Sequence, residues 1–148
     1  MKNNLFRKLI HTTAPAATIL MRIMVGGIFL AEGIKKFLIF DALGKGQFTG
    51  MDTPLSVGML IFLAILEMDC GIFILCGFVT RIASAVLIID NLAAMVMANL
   101  PILLKDGFWS MAYGARLDFS LLLGLVFLLI VGAGPWSIDA DTMRRKAT

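Results

Sequence analysis

The sequence predicts an all-α membrane protein, a bundle of four transmembrane helices with both termini in the cytoplasm. The chain is 59% hydrophobic with a mean hydropathy of +0.93, more apolar than a soluble domain. Its apolar residues form runs of about 20 residues, the length that crosses a hydrocarbon core of ~30 Å. No polar stretch reaches the ~50 residues of a soluble domain, so residues 1–148 are predicted to form one membrane domain. The predicted spans are residues 15–39, 57–78, 82–104 and 117–134.

The first span follows a basic segment, residues 1–14, in which apolar residues have the spacing of an interfacial helix. Because Arg22 interrupts the apolar run and no small-residue cleavage site follows, we expect a retained span rather than a signal peptide. Gly26 and Gly33 share a helix face, which favours close approach of a neighbouring helix. Glu32 and Lys36 are four residues apart. They could neutralise each other near the membrane surface or belong to a polar site.

The second span carries two carboxylates, Glu67 and Asp69, near its middle. A carboxylate at that depth costs about 2.5 kcal/mol or more, so it needs a partner, a proton or water. A short turn at residues 77–81 predicts an antiparallel hairpin with the third span. That span has Asp90 near its own middle, and Pro101 is expected to kink or end it. The hairpin therefore offers acidic groups to a common polar cluster.

The remaining elements are a loop and the fourth span. Residues 105–116 are predicted as a loop, with Trp109 at the headgroup level. The fourth span is polar at its start, where Asp118 lies, and residues 132–135 break it. Trp136 follows as a second interfacial anchor, before a short basic tail.

The sequence lacks the residues that several classes of membrane protein require for their function. Cys70 and Cys76 point to different helix faces, beyond disulfide reach, and we interpret them as small buried hydrophobes. The Cys-x-x-Cys pair of a thiol oxidoreductase is absent. With His11 the sole histidine, one copy cannot build a bis-histidine haem. No metal site or phosphate-binding loop is predicted. The basic residues sit at the ends of apolar runs, an orientation signal rather than a nucleic-acid footprint.

The distribution of basic residues predicts the orientation of the four spans. An even number of spans places both termini on one side, and cytoplasmic segments carry the excess of Lys and Arg. The opposite side has fewer, namely Lys45, Lys105 and Arg116, with Lys35 and Lys36 near a helix end. The side predicted to be cytoplasmic has Lys2, Arg7, Lys8, Arg81, Arg144, Arg145 and Lys146.

Charged residues from all four spans form the candidate site, a polar intramembrane cluster that would bind a ligand or relay protons. Glu67 and Asp90 are expected near the bilayer midplane, and Asp118 toward the outer side. The candidates are Arg22, Glu32, Lys36, Glu67, Asp90 and Asp118.

Three segments carry motifs in the first helix, around the second-to-third turn and after the fourth helix. They are residues 20–26 (LMRIMVG) with 33–37 (GIKKF), residues 67–71 (EMDCG) with 77–81 (GFVTR), and residues 132–139 (GAGPWSID). In this order the segments resemble the DoxX family of small four-helix membrane proteins. Asp118 stands where many members have a glutamate.

The resemblance implies a multi-pass protein of the bacterial inner membrane. The family takes its name from a subunit of a thiosulfate:quinone oxidoreductase, and its members are often linked to membrane redox systems. A fold and a location transfer between relatives more readily than a reaction does. The expected surroundings are the lipid bilayer and either a partner protein or further copies of this chain.

Three functions remain open at this point. The first is a subunit of a quinone-linked redox system, in which Lys36 and Arg22 donate hydrogen bonds while Glu67, Asp90 and Glu32 carry protons. The sequence has no flavin, haem or iron–sulfur motif, so quinone is the candidate cofactor and electrons would come from another chain. The second is a transporter of a small solute or protons. The third is a structural or assembly subunit whose charges are packing pairs.

Overall fold

The computed structural model describes residues 16–43 and 57–145, and this part of the chain is α-helical without strands. Four long helices close a ring: α1 packs mainly on α2, α2 on α3, α3 on α5, and α5 on α1. The short α4 lies between α3 and α5, and α6 follows the ring. The helices are α1 (Thr18–Leu43), α2 (Val57–Cys76), α3 (Thr80–Asp106), α4 (Phe108–Gly114), α5 (Arg116–Val131) and α6 (Ile138–Arg145).

The outer surface is largely apolar while several polar groups are inside. Ile89 and Ile130, for example, are 71% and 69% exposed. A soluble domain hides such residues and exposes its charges. This inverted arrangement suits a lipid environment, where polar groups must be satisfied within the protein. The buried polar residues are Thr18, Arg22, Glu67, Thr80, Ser84, Asn91, Asn99 and Asp139.

One helix of the described residues, α3, is long and apolar enough to cross a membrane by itself. The pair α4 and α5 satisfies the same criterion together, with a bend of 54° at the break between them. Length and composition therefore identify one or two spans in this part of the chain. The count of four stays a prediction.

Close contact between α1 and α2 depends on glycine. A Cβ atom on Gly71 would lie 2.9 Å from the Leu30 amide nitrogen and 3.0 Å from the Gly26 carbonyl oxygen. A Cβ atom on Gly33 would lie 2.8 Å from the Ala64 carbonyl oxygen. Backbone atoms cannot move aside as flexible side chains do, so the two helices approach closely at both points. This confirms the shared face predicted for Gly26 and Gly33.

The interior of the ring is filled by apolar side chains from α1, α2, α3 and α5. On one side, a Cβ atom on Gly124 of α5 would lie 2.6 Å from Val25 Cγ2 of α1. The resulting contact closes the ring between the first and last long helices. The buried cluster comprises Val25, Phe29, Cys70, Ile74, Ala83, Leu87, Leu121, Leu125 and Leu128.

The predicted loop at residues 105–116 is wrong. These residues contain α4, because Gly107 (φ 84°) alone makes the break after α3.

Helix α6 is an element that the sequence analysis did not predict, and it includes Arg144 and Arg145 of the basic tail. Its start is capped by the Ser137 hydroxyl, which accepts from the Ala140 amide at 3.1 Å. Asp139 and Asp141 in its first turn complement the helix dipole.

The boundaries of the long helices also differ from the prediction. α3 continues through Pro101 to Asp106. A proline is tolerated inside a membrane helix when neighbouring groups bond to the backbone carbonyl that it leaves without a donor. α1 extends to Leu43, beyond the predicted end at residue 39, and α2 ends at Cys76 rather than 78. The predicted interfacial helix of residues 1–14, with His11, lies outside the described residues. So does most of the predicted first loop, residues 44–56.

A methyl group at Gly71 tests the α1–α2 contact. We expect Gly71→Ala to lower the free energy of unfolding by about 1–3 kcal/mol, because the new Cβ atom meets backbone. The control is Gly27→Ala on α1, where nothing lies within 4 Å of the added atom. That variant should be unchanged or more stable by roughly 1 kcal/mol through helix propensity. Thermal midpoints in one detergent compare the two, and equal midpoints would contradict the close contact.

Candidate functional site

An ion pair joins α1 to α2 next to their glycine contact. Lys36 follows Gly33 by one turn and lies 2.5 Å, Nζ to Oε1, from Glu67. The Glu67 side chain is 5% exposed and that of Lys36 37%. The carboxylate is therefore inside the protein while its partner reaches toward the surface. The sequence left open a pair of Lys36 with Glu32, and the structure pairs Lys36 with Glu67 instead.

A second carboxylate meets the first from α3. Asp90 lies within side-chain hydrogen-bonding range of Glu67. Glu67 Oε2 and Asp90 Oδ2 are both buried, and neither has a hydrogen-bond donor among the described residues. The site thus contains one ammonium group and two carboxylates. We refer to Lys36, Glu67 and Asp90 as the polar triad.

The neighbours of the polar triad are mostly uncharged. Cys70, one turn after Glu67, is buried, and Asn91 beside Asp90 is 5% exposed. Asp69 is exposed, because two residues of helix turn its side chain by about 200° from that of Glu67. The two carboxylates of α2 therefore have different surroundings, which their positions in the sequence did not separate.

Arg22 occupies a different part of the bundle. It is 3% exposed, and its guanidinium donates to four backbone carbonyl oxygens. Two belong to the end of α2, Ile74 (2.9 Å) and Leu75 (2.5 Å). The others follow α5, Ala133 (3.2 Å) and Trp136 (2.7 Å). The end of α2 and the segment after α5 therefore enclose the guanidinium of Arg22.

The end of α2 is a Schellman motif built around Gly77. The Phe78 amide donates to the Phe73 carbonyl at 2.9 Å and the Gly77 amide to the Ile74 carbonyl at 3.1 Å. Gly77 has φ 68°, and a Cβ atom there would lie 2.5 Å from Ser137 Cβ. The rings of Phe73 and Phe78 meet edge to face at 5.7 Å, the apolar contact that often accompanies this motif.

Asp139 holds the start of α3 from outside that helix. Its carboxylate accepts from the Val79 amide at 2.8 Å and the Thr80 amide at 3.1 Å. Val79 has φ 48°, an unusual value for a β-branched residue, and these bonds stabilise it. Burial raises the pKa of the Asp139 carboxyl, while the two amide bonds and the nearby Arg22 act in the opposite direction. Sequence reasoning missed Asp139 as a structural residue, although it lies in the motif at residues 132–139.

These contacts form one unit at one end of the bundle. Three of the sequence segments singled out above meet there, the first through Arg22, the second through its turn and the third through Asp139. We call this unit the clamp and define it as Arg22, residues 74–80 and residues 132–139.

The last two candidates, Glu32 and Asp118, lie apart from both units. Each is half-buried. Within the described residues, no ion pair or side-chain hydrogen bond joins either one to another candidate. Asp118 lies in the first turn of α5, where the helix dipole favours an acid. Of the six candidates, the structure therefore brings together Lys36, Glu67 and Asp90.

The described residues contain neither a group placed to hold a metal ion nor a disulfide bond. Within them, no group of three or more His, Cys, Asp or Glu side chains is placed to hold a metal ion. Cys70 and Cys76 are free, the first buried and the second exposed. Their different faces agree with the sequence, whereas the prediction that both are buried is wrong for Cys76.

Comparisons with known proteins identify a matching family and two relatives of this chain. Residues 17–100 match the family described as DoxX, a range that contains Arg22 and the polar triad. The chain is 40% identical over 144 residues to "Uncharacterized membrane protein Rv3486" of Mycobacterium tuberculosis, covering 93% of this chain and 88% of that protein. It is 27% identical over 133 residues to "Putative oxidoreductase CatD" of Bacillus subtilis, covering 87% and 89%. No solved structure matches.

Replacing Arg22 tests the clamp. Arg22→Met should lower the free energy of unfolding by on the order of 3 kcal/mol, because it removes charge-assisted hydrogen bonds to four carbonyl groups. Arg145→Met is the control, since Arg145 pairs with Asp141 at the surface and its side chain is 81% exposed. Its effect should stay within about 0.5 kcal/mol. Denaturant titration of both purified variants gives the comparison, and equal stabilities would remove the clamp's structural role.

Proposed function

The chain belongs to the DoxX family, and from that premise we propose that it is a subunit or accessory of a quinone-linked redox system in the bacterial inner membrane. The polar triad is the observation that carries the proposal. The name of the Bacillus subtilis relative, which contains the word oxidoreductase, favours a redox role over the alternatives.

The chemistry of a quinone fits the groups of the polar triad. Reduction to a quinol takes up two electrons and two protons, so a quinone site needs a donor for a carbonyl oxygen and a source of protons. The Lys36 ammonium reaches the surface between α1 and α2, where a lipid-soluble quinone would approach. Behind it, Glu67 and Asp90 would supply protons. The electrons would come from a partner chain, because this sequence carries no motif for a redox cofactor.

The proposal includes a bundle of four spans with both termini in the cytoplasm. α1, α2, α3 and α5 close the ring, and α5 joins α4 as one bent span. Two of the charges that lower the hydropathy of α1 have partners inside the protein: Lys36 bonds to Glu67, and Arg22 bonds to carbonyl groups. Arg144 and Arg145 in α6 lie at the clamp end of the bundle, the end proposed to be cytoplasmic.

Fusion reporters test this orientation. A green fluorescent protein fused after residue 148 should fluoresce, because it folds in the cytoplasm, and alkaline phosphatase at the same point should be inactive. Phosphatase fused after Gly107, between α3 and α4, should be active. The reverse pattern would contradict the proposed topology.

A structural or assembly role is the alternative that a specific observation favours. The clamp uses buried charges, Arg22 and Asp139, entirely for bonds to the backbone. Charge inside this bundle can therefore serve architecture alone. A transporter of a small solute or protons would use the same carboxylates as the redox function, and four helices would require a dimer for alternating access.

Quinone binding separates these functions. We expect native mass spectrometry and solvent extraction of the protein in lipid nanodiscs to find co-purifying quinone. Glu67→Gln and Lys36→Met should lower its amount by about 10- to 100-fold, the effect of losing one charge-assisted hydrogen bond.

Two matched controls change the same charges on the outside of the same helices. Asp69→Asn removes an exposed carboxylate of α2, and Lys35→Met removes an exposed ammonium of α1. Both should retain quinone at the level of the unmodified protein. Absence of quinone from the unmodified protein, together with a stoichiometric partner chain, would favour the assembly function. Equal loss in the controls would mean that the polar triad does not form the site.

A further inference from the structure

The polar triad has acceptors that lack donors. Glu67 is 3% exposed, and its Oε1 accepts from Lys36. Its Oε2 is buried without a donor among the described residues, as is Oδ2 of Asp90. Two ionised carboxylates that face each other in this way repel, and neither of the two unpaired oxygens recovers the hydrogen bonds that water would give it.

The charges of the polar triad do not balance when every group is ionised. One ammonium and two carboxylates leave a net charge of −1, and the side chain of Glu67 is only 5% exposed. The groups that face Glu67 are Lys36 from α1 and Asp90 from α3, and on its own helix Asp69 is exposed and Cys70 is a thiol. None of these supplies a second positive charge. A single proton between the carboxylates would cancel the charge and turn the repulsion into an O–H···O hydrogen bond.

We propose that Glu67 and Asp90 together bind one exchangeable proton, held between Glu67 Oε2 and Asp90 Oδ2 beside a charged Lys36. The inference rests on the site of the proposed function and names the ligand that this site holds at rest. The proton belongs to the pair rather than to either residue, as in other coupled carboxylates. A reaction that consumes protons would draw on this pair.

Charge neutrality predicts how many protons the triad binds in each variant. The unmodified triad needs one proton. Glu67→Gln and Asp90→Asn each leave one ammonium and one carboxylate, so they need none. Lys36→Met leaves two carboxylates without a cation, so it needs two. Asp141→Asn, at the surface of α6 and outside the spans, keeps the count at one.

Infrared spectroscopy of the protein in nanodiscs, with no quinone added, measures this count. The carbonyl stretch of a protonated carboxyl group is separate from the carboxylate bands and shifts in heavy water. Difference spectra against the unmodified protein should show loss of one such band in Glu67→Gln and Asp90→Asn. They should show no change in Asp141→Asn. Lys36→Met should show a gain to about twice the intensity of the triad band.

Two results would overturn the inference. The first is a spectrum of Asp90→Asn and Glu67→Gln identical to that of the unmodified protein. The second is a thermal midpoint that is higher in sodium chloride than in choline chloride at equal ionic strength, with no such difference in Asp90→Asn. That result would mean that a bound cation takes the place of the proton. Neither result requires quinone, so loss of the proton with retained quinone binding leaves the proposed function intact. A proton band without quinone binding would support the shared proton and contradict the proposed function.

Discussion

The structure depends on the close approach of α1 and α2, and that approach depends on the absence of side chains. Gly71 lies so near the backbone of Leu30 that a single Cβ atom would collide with it. Because the helices touch along this line, the Lys36 ammonium can reach Glu67 at 2.5 Å. With wider spacing, a carboxylate that is 3% exposed would be left uncompensated in an apolar interior. The small residues of one interface thus decide whether the charges of the site are tolerated.

The clamp and the polar triad differ in how their buried charges are satisfied. In the clamp, Arg22 meets backbone carbonyl groups that helix ends leave open, and Asp139 meets amide groups at the start of α3. The guanidinium of Arg22 and the carboxylate of Asp139 are both bonded to backbone groups, so neither charge calls for a ligand. In the polar triad, the acceptors outnumber the donors, with one oxygen of each carboxylate left over. This mismatch, rather than the mere presence of charge in the interior, distinguishes a candidate site from a structural support.

The sequence predicts the long helices better than the contacts between them. α3 begins and ends within two residues of its predicted bounds, because a long apolar run leaves little choice of structure. The partner of Lys36 could not be assigned from the sequence, because Glu32 is a plausible local partner. The pairing of Lys36 with Glu67 depends on the register of two helices. The structural role of Arg22 could not be predicted, because the sequence does not record the four carbonyl groups that converge on its guanidinium. α6 was not predicted, although the cap by Ser137 and the acids in its first turn are local signals.

The clamp and the polar triad are linked through the hairpin of α2 and α3. Glu67 lies eleven residues before Phe78 and Asp90 twelve after it, so antiparallel helices leaving this turn carry the carboxylates to the same height, about 17 Å away. Equal height alone does not make them meet, because each helix must also have the correct rotation. Arg22 fixes the last turn of α2 and Asp139 the first turn of α3. A small rotation at either end would separate the carboxylates, so the clamp sets the distance on which proton sharing depends, although it never touches the site.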